Sequence, residues 1–402
     1  LTGAAGPTIL ARFFVAYIRH IAPAQAGGRL AQVYREIRGE VPRVPNLMQV
    51  FSLRPETMEG VYRLWLAIMW SGRTPRQLKE LLAVVVAKAS RCDYCAEAHM
   101  IYLLASGMES DKAWDADSNL GEAAGLSAAE REAVRFAVRI TAEPRAVRAA
   151  DRARLAEIWP SVEERVEIVA TIAAFSSVTR VANALGVVSE IPSALRRFES
   201  GRRGVIALLA RISAISLDLD EKPVFGDPPE RNREALRLLF LDQLGFSSLP
   251  PGFELLEACP ELFDGQLRTV KKSVAVMPRD RWMRIGLVVG RLTGCDFFAT
   301  NCADWLTQRG ESADDLIAAG EGSPSSLPDG EHACLRFARD FTLHSHTIGE
   351  DRIVELRRLG LSDGAILDLA YVTGTFNGMV CLVLGLAPFQ DRQAASSAKE
   401  SG

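Results

Sequence analysis

Residues 85–96 read Val85-Val86-Ala87-Lys88-Ala89-Ser90-Arg91-Cys92-Asp93-Tyr94-Cys95-Ala96. About 203 residues later, Val288-Val289-Gly290-Arg291-Leu292-Thr293-Gly294-Cys295-Asp296-Phe297-Phe298-Ala299 says nearly the same thing. Val85, Val86, Cys92, Asp93 and Ala96 recur identically. Lys88 faces Arg291, Ser90 faces Thr293 and Tyr94 faces Phe297. Other landmarks keep nearly the same offset: Pro55-Glu56 with Pro260-Glu261, Arg135-Phe136-Ala137 with Arg336-Phe337-Ala338, and Phe175 with Phe376. One similar helix arises easily by chance, whereas ordered landmarks along both halves point to a tandem duplication.

Around these landmarks the chain reads as helix. Segments 56–70, 75–88, 128–141 and 162–185 space their apolar residues at three and four, and no long period-two alternation occurs. The expectation is an all-α protein of two tandem helical domains, the second degenerate. Residues 1–190 form the first domain, 191–228 a linker, 229–390 the second copy and 391–402 a disordered tail. The linker reading rests on Arg196-Arg197, Gly201-Arg202-Arg203-Gly204 and the acidic, proline-containing stretch that follows, with room for a short helix at 205–215.

Composition limits the function. A chain of 402 residues suits two domains, and 48% hydrophobic with 24% charged residues is an ordinary globular balance. A formal net charge of -3 supplies no field for nucleic acid or an anionic membrane, so neither is an expected partner. The early apolar stretch 9–21 is broken by Arg12, Arg19 and His20 and falls short of the roughly 20 residues of a span. It also lacks a small-residue cleavage site. Seven cysteines, an odd number, do not make a disulfide framework, and reduced thiols in the cytoplasm fit better. In that compartment a C-x-x-C pair needs a chemical reason.

That reason is sought around Cys92 and Cys95. Thr74-Pro75-Arg76-Gln77 predicts a helix start with a capping box, and Ser90 with Asp93 predicts a second start. The break near Ser90 would put Cys92 in the first turn of a new helix, where unpaired N–H groups and the dipole favour a thiolate. Cys95 follows by three residues and His99 by four more, so all three share a helix face. There His99 can take a proton from Cys95, and Cys92 can form a disulfide with it. Glu80 stands twelve residues before Cys92, roughly 18 Å along a continuous helix. A turn near Ser90 would fold it back to orient the imidazole.

The pattern Glu80, eleven residues, Cys92, two residues, Cys95, three residues, His99 resembles the alkylhydroperoxidase AhpD branch of the carboxymuconolactone decarboxylase-like superfamily. The flanks His20-Ile21-Ala22-Pro23, Val44-Pro45-Asn46-Leu47 and 175–186 resemble family landmarks as well. The resemblance covers residues 18–188 well and 228–388 more weakly. It implies an all-helical fold, a homo-oligomer and peroxide or disulfide reduction with no metal or organic cofactor. It also implies roles: Cys95 attacks the peroxide, Cys92 donates a proton and resolves, and His99 with Glu80 relays protons. A dithiol reductant, lipoyl or thioredoxin-like, would restore the pair. Some relatives carry a histidine between the cysteines, where this chain has Asp93-Tyr94. In the second copy Met283, Phe298 and Cys302 replace Glu80, Cys95 and His99, which predicts a silent site. That half would complete the assembly in place of a neighbouring subunit.

Other readings stay open. Cys92, Cys95 and His99 could supply three zinc ligands, although no matching second pair lies nearby in the chain. Lactone decarboxylation and a non-enzymatic redox sensor are the alternative functions. Cys259, Cys334 and Cys381 read as core, and Cys295 and Cys302 as structural. His344-Ser345-His346 reads as a loop or cap. Arg180 and Asn183 read either as a family polar position or as helix surface.

Overall fold

The computed structural model describes residues 15–41, 43–120, 123–216, 233–323 and 326–388. The expected tail lies outside these residues, as do 217–232. Among the described residues there is no strand, and the fold is all-α.

The same helices occur twice in the same order. Pro55–Trp70, Arg76–Ala89 and Asp93–Ala105 recur as Pro260–Ala275, Arg279–Thr293 and Asp296–Thr307. Ala128–Ala142, Ala149–Ile158 and Val162–Ala184 recur as Asp329–His344, Glu350–Arg358 and Asp363–Leu386. The local signals also recur. Pro55 and Pro260 each take the first helical position, where a missing N–H costs nothing, and Glu56 and Glu261 each face the positive helix end.

The two long helices, Val162–Ala184 and Asp363–Leu386, pack on each other at the centre. Small residues permit the approach. A Cβ on Gly374 would stand 2.9 Å from Ser177 Oγ, and one on Gly378 would stand 3.1 Å from the Ala173 carbonyl. Asp363–Leu386 is long and apolar enough to cross a membrane, but its side chains are buried in the shared core.

Polar ties also cross between the halves. Arg54 holds Asp368 at 2.7 Å, and Arg19 and Arg357 both hold Asp363. Arg180 is buried rather than on a helix surface. Its guanidinium donates to the Thr141 carbonyl, to Ser176 and to the Thr342 carbonyl of the second half. Burial pushes this guanidinium's pKa down.

Of the expected 191–228 linker, the described residues 191–216 differ from a plain solvated connection. Their helix is Glu199–Ser216, longer than the sequence suggests, and it packs against Asp93–Ala105. Ser189 and Arg196 anchor its approach by donating to buried Glu97 of the latter helix, at 2.6 and 2.8 Å.

Candidate active site

The turn between the glutamate helix (Arg76–Ala89) and the cysteine helix (Asp93–Ala105) sets the site. The break falls where Ser90 implies it, but Ser90 ends the first helix and Cys92 caps the second. The Cys92 sulfur accepts the Cys95 N–H at 3.4 Å, so a thiol occupies the place a serine or aspartate usually takes. Arg91 supplies the reversal with φ of 53°, in the left-handed region. The second half has Gly294 at the equivalent position, with φ of 70°. A side chain there is costly unless its surroundings fix it. Two contacts do so: Asn183 donates to the Ser90 carbonyl at 2.8 Å, and the Arg91 guanidinium lies 3.2 Å from His346 Nε2. The histidine tract thus sits at a helix end beside this turn. The capping box expected at Thr74 does not form, because Pro75 is the cap and the Thr74 hydroxyl is buried away from the helix N–H groups.

The reversal brings Glu80 back to His99. Its Oε2 lies 2.7 Å from His99 Nδ1, and its Oε1 accepts from Arg76 Nε at 2.7 Å. The carboxyl is fully buried. Burial alone would raise its pKa, but Arg76 and His99 outweigh that penalty and hold it below the usual carboxylate value. Arg76 in turn lies over the Trp70 ring at 3.8 Å. The edge-to-face contact between Phe175 and His99, with centroids 4.5 Å apart, fixes the ring from the other side. With Nδ1 engaged by Glu80, Nε2 is the ring atom left for proton exchange.

Both cysteines are buried and reduced. Burial pushes the Cys95 thiol well above its ordinary pKa, and the neighbouring Cys92 and Glu190 add to the rise. This burial favours the neutral Cys95 thiol over the thiolate. Tyr94, between the two cysteines, is held in place by the Leu47 N–H at 3.2 Å and by Glu190 at 3.3 Å.

Cys95 and His99 open into one cavity of about 410 Å³. Its walls are mainly apolar, with Phe51, Leu64, Trp65, Ile68 and Phe175 among them. Arg43, Glu190 and His99 are its charged or ionisable groups, besides the Tyr62, Tyr94, Tyr102 and Tyr371 phenols and Cys95. Gln266, Thr269, Tyr371 and Thr375 of the second half line it too, and so do Val205, Leu209 and Ile212 of the Glu199–Ser216 helix. Of the four residues expected from the sequence, Glu80 meets His99, Cys92 caps the helix that carries Cys95, and Cys95 and His99 line one cavity. Sequence reasoning missed Arg76, Phe175 as a support for His99, and every wall residue from beyond position 200. The only sequence signal for Arg76 was its place four residues before an acid that begins an apolar run.

The equivalent place in the second half is filled. Trp282 and Phe376 have centroids 4.3 Å apart, Phe298 packs edge-on to Phe376 at 5.6 Å, and Phe246 and Phe297 complete the cluster. Met283 and Cys302 are buried there. Burial pushes the Cys295 thiol up to about 12 and the Cys302 thiol up as well. Cys259, Cys334 and Cys381 are buried in the core.

Residues 55–139, which hold Glu80, Cys92, Cys95 and His99, match the carboxymuconolactone decarboxylase family model. Over 94 residues the chain is 35% identical to an alkyl hydroperoxide reductase of Mycobacterium tuberculosis, a match spanning 23% of this chain and 27% of that protein. The chain thus matches only about a quarter of that relative's length. A crystal structure described as an alkylhydroperoxidase AhpD core, an uncharacterized peroxidase-related protein from Ralstonia eutropha JMP134, is 21% identical with a TM-score of 0.41, covering 49% of this chain and 97% of that one. What is shared with the carboxymuconolactone decarboxylase family is thus the stretch 55–139, about a fifth of the chain.

Proposed function

We propose that the chain reduces an organic hydroperoxide with electrons from a dithiol, through Cys95 and Cys92. The observation that carries this reading is the buried Arg76–Glu80–His99 line ending in the cavity that contains Cys95. His99 takes the Cys95 proton, and Glu80 stabilises the imidazolium that forms. The thiolate attacks the terminal peroxide oxygen, so an S–O bond forms and the O–O bond breaks. The departing alkoxide takes a proton and leaves as an alcohol. Cys92 then attacks the Cys95 sulfenic acid, an S–S bond forms, the S–O bond breaks, and water leaves. A dithiol returns both cysteines to thiols by exchange and becomes a disulfide. The donor is lipoyl or thioredoxin-like in this account, and the reducing compartment is the cytoplasm. The aromatic filling makes the second half silent, its task being to close the first half's cavity. Assembly into a homo-oligomer belongs to the same proposal.

The test is steady turnover of an organic hydroperoxide with a dithiol donor. Cys95→Ser and Cys92→Ser should each abolish turnover, and full activity in both would reject the reading. The family match supports a second reading, decarboxylation of a lactone acid with His99 as the proton carrier. Release of carbon dioxide from such a lactone, undiminished in Cys95→Ser, would establish it instead.

A further inference from the structure

The wall between the cavity and solvent has an unusual outer face. Val188, Leu195, Phe198, Leu208 and Ile212 are five of the nine large apolar side chains that stand exposed among the described residues. Phe198 is 70% exposed and Leu208 57%. Leu208 and Ile212 are one turn apart on the Glu199–Ser216 helix, so they share its outer face. The inner face of that helix presents Val205 and Leu209 to the cavity, and Ile212 reaches it as well. A single helix therefore separates the exposed apolar face from the space in front of Cys95.

The charge on this stretch is opposite in sign to that of the whole chain. Residues 191–212 contain Arg196, Arg197, Arg202, Arg203 and Arg211 against one acid, Glu199. Arg196 pairs with Glu97, Arg202 with Glu199 and Asp117, and Arg203 with Glu199, so among the described residues Arg197 and Arg211 carry the unpaired charge of the patch. Arg197, Arg203 and Arg211 are exposed. Exposed apolar side chains flanked by arginines on a helix are the combination that settles into an anionic lipid interface. A twofold contact of this face with itself would set arginines against arginines.

We propose that this face docks on an anionic lipid surface, which would present acyl-chain hydroperoxides to the apolar cavity beside it. The substrate part rests on the peroxidase reading, while the docking part does not. The net charge of -3 argues only against long-range attraction of the whole chain, and the local patch acts within about 8 Å at physiological salt.

The full chain is sedimented with phosphatidylcholine vesicles and with vesicles containing half phosphatidylglycerol. Binding should be about tenfold stronger to the anionic vesicles and should weaken with salt. Phe198→Asp with Leu208→Asp, and separately Arg197→Glu with Arg211→Glu, should each remove about tenfold of that binding, whereas Cys95→Ser should bind as the parent does. The Asp pair should also lose turnover of vesicle-embedded lipid hydroperoxide while keeping that of a soluble one. Equal binding to both vesicles, or no binding, would overturn the docking surface. So would Asp-pair variants that bind normally but convert a dimer to a monomer, since the face would then be a contact between copies. Intact vesicle binding with no turnover of any hydroperoxide would reject the substrate part and the peroxidase reading, and leave the docking surface standing.

Discussion

Glu80 Oε2 and His99 Nδ1 lie 2.7 Å apart although 19 residues separate them in the chain. The reversal at Ser90-Arg91 makes this contact, and the contact is what distinguishes the first half from the second. Where Glu80 and His99 stand in one, Met283 and Cys302 stand in the other, and aromatic rings fill the second half's equivalent of the site.

Glu80→Gln should lower peroxide turnover by about 10²–10⁴-fold, the usual worth of a general-base system, with the loss in kcat rather than KM. It should also destabilise the fold by about 3–5 kcal/mol, because Arg76 keeps its charge beside a neutral amide in a buried place. Kinetics and denaturant melts on the same preparation check both.

Acid should unfold the parent partly through this residue. The folded pKa of Glu80 lies below its ordinary 4.5, so its contribution is fully present above 4.5 and is lost as pH falls through the lower folded value. Glu80→Gln has no such group, so its stability should change less over that acid range. Denaturant midpoints followed from pH 6 downward measure the difference, and parallel curves would contradict it.

Cys95 should react faster as pH rises. Its folded pKa is well above the ordinary 9.0, so in the absence of substrate the thiolate fraction grows by about tenfold per pH unit through the neutral and mildly alkaline range. Alkylation of Cys95, read by peptide mass, should climb without a plateau up to pH 9. A plateau near neutrality would mean a resting thiolate.

Arg91→Gly should leave the fold at least as stable, because glycine adopts φ of 53° without the cost of a side chain. The gain should stay within about 1 kcal/mol, offset by the flexibility glycine adds to the unfolded chain. Arg91→Ala should not show this gain. Thermal melts of the two variants separate backbone strain from the lost contact to His346.

Arg180→Lys should destabilise the fold by about 1–3 kcal/mol. Only the planar guanidinium fork reaches Thr141, Ser176 and Thr342 together, and a lysine leaves buried carbonyls without donors.

The duplication and the helical fold were legible because identical residues recur in order and apolar positions keep helical spacing. The Glu80–His99 contact was legible because the two residues lie on adjacent helices joined by one short turn, so local geometry decides their meeting. Arg180 was not, since a cation on a long helix looks the same whether it faces water or a partner helix. Nor was the outer wall of the cavity. Val205 and Leu209 lie in a stretch whose arginines and glycines look solvated, and tertiary packing of their helix on Asp93–Ala105, with the Ser189 and Arg196 bonds to Glu97, brings them over the site. The Thr74 cap failed because Glu167 takes the neighbouring N–H groups: its carboxylate accepts from the Arg73 and Thr74 amides at 2.8 and 2.7 Å.

The most direct measurement is the mass of the peptide containing Cys92 and Cys95 after one equivalent of an organic hydroperoxide. That peptide alone should lose two hydrogens, through a Cys92–Cys95 disulfide that a dithiol reverses. In Cys92→Ser the Cys95 sulfenic acid should be trapped instead. A peptide that stays fully reduced while peroxide is consumed would contradict the account, and so would consumption that persists in Cys95→Ser.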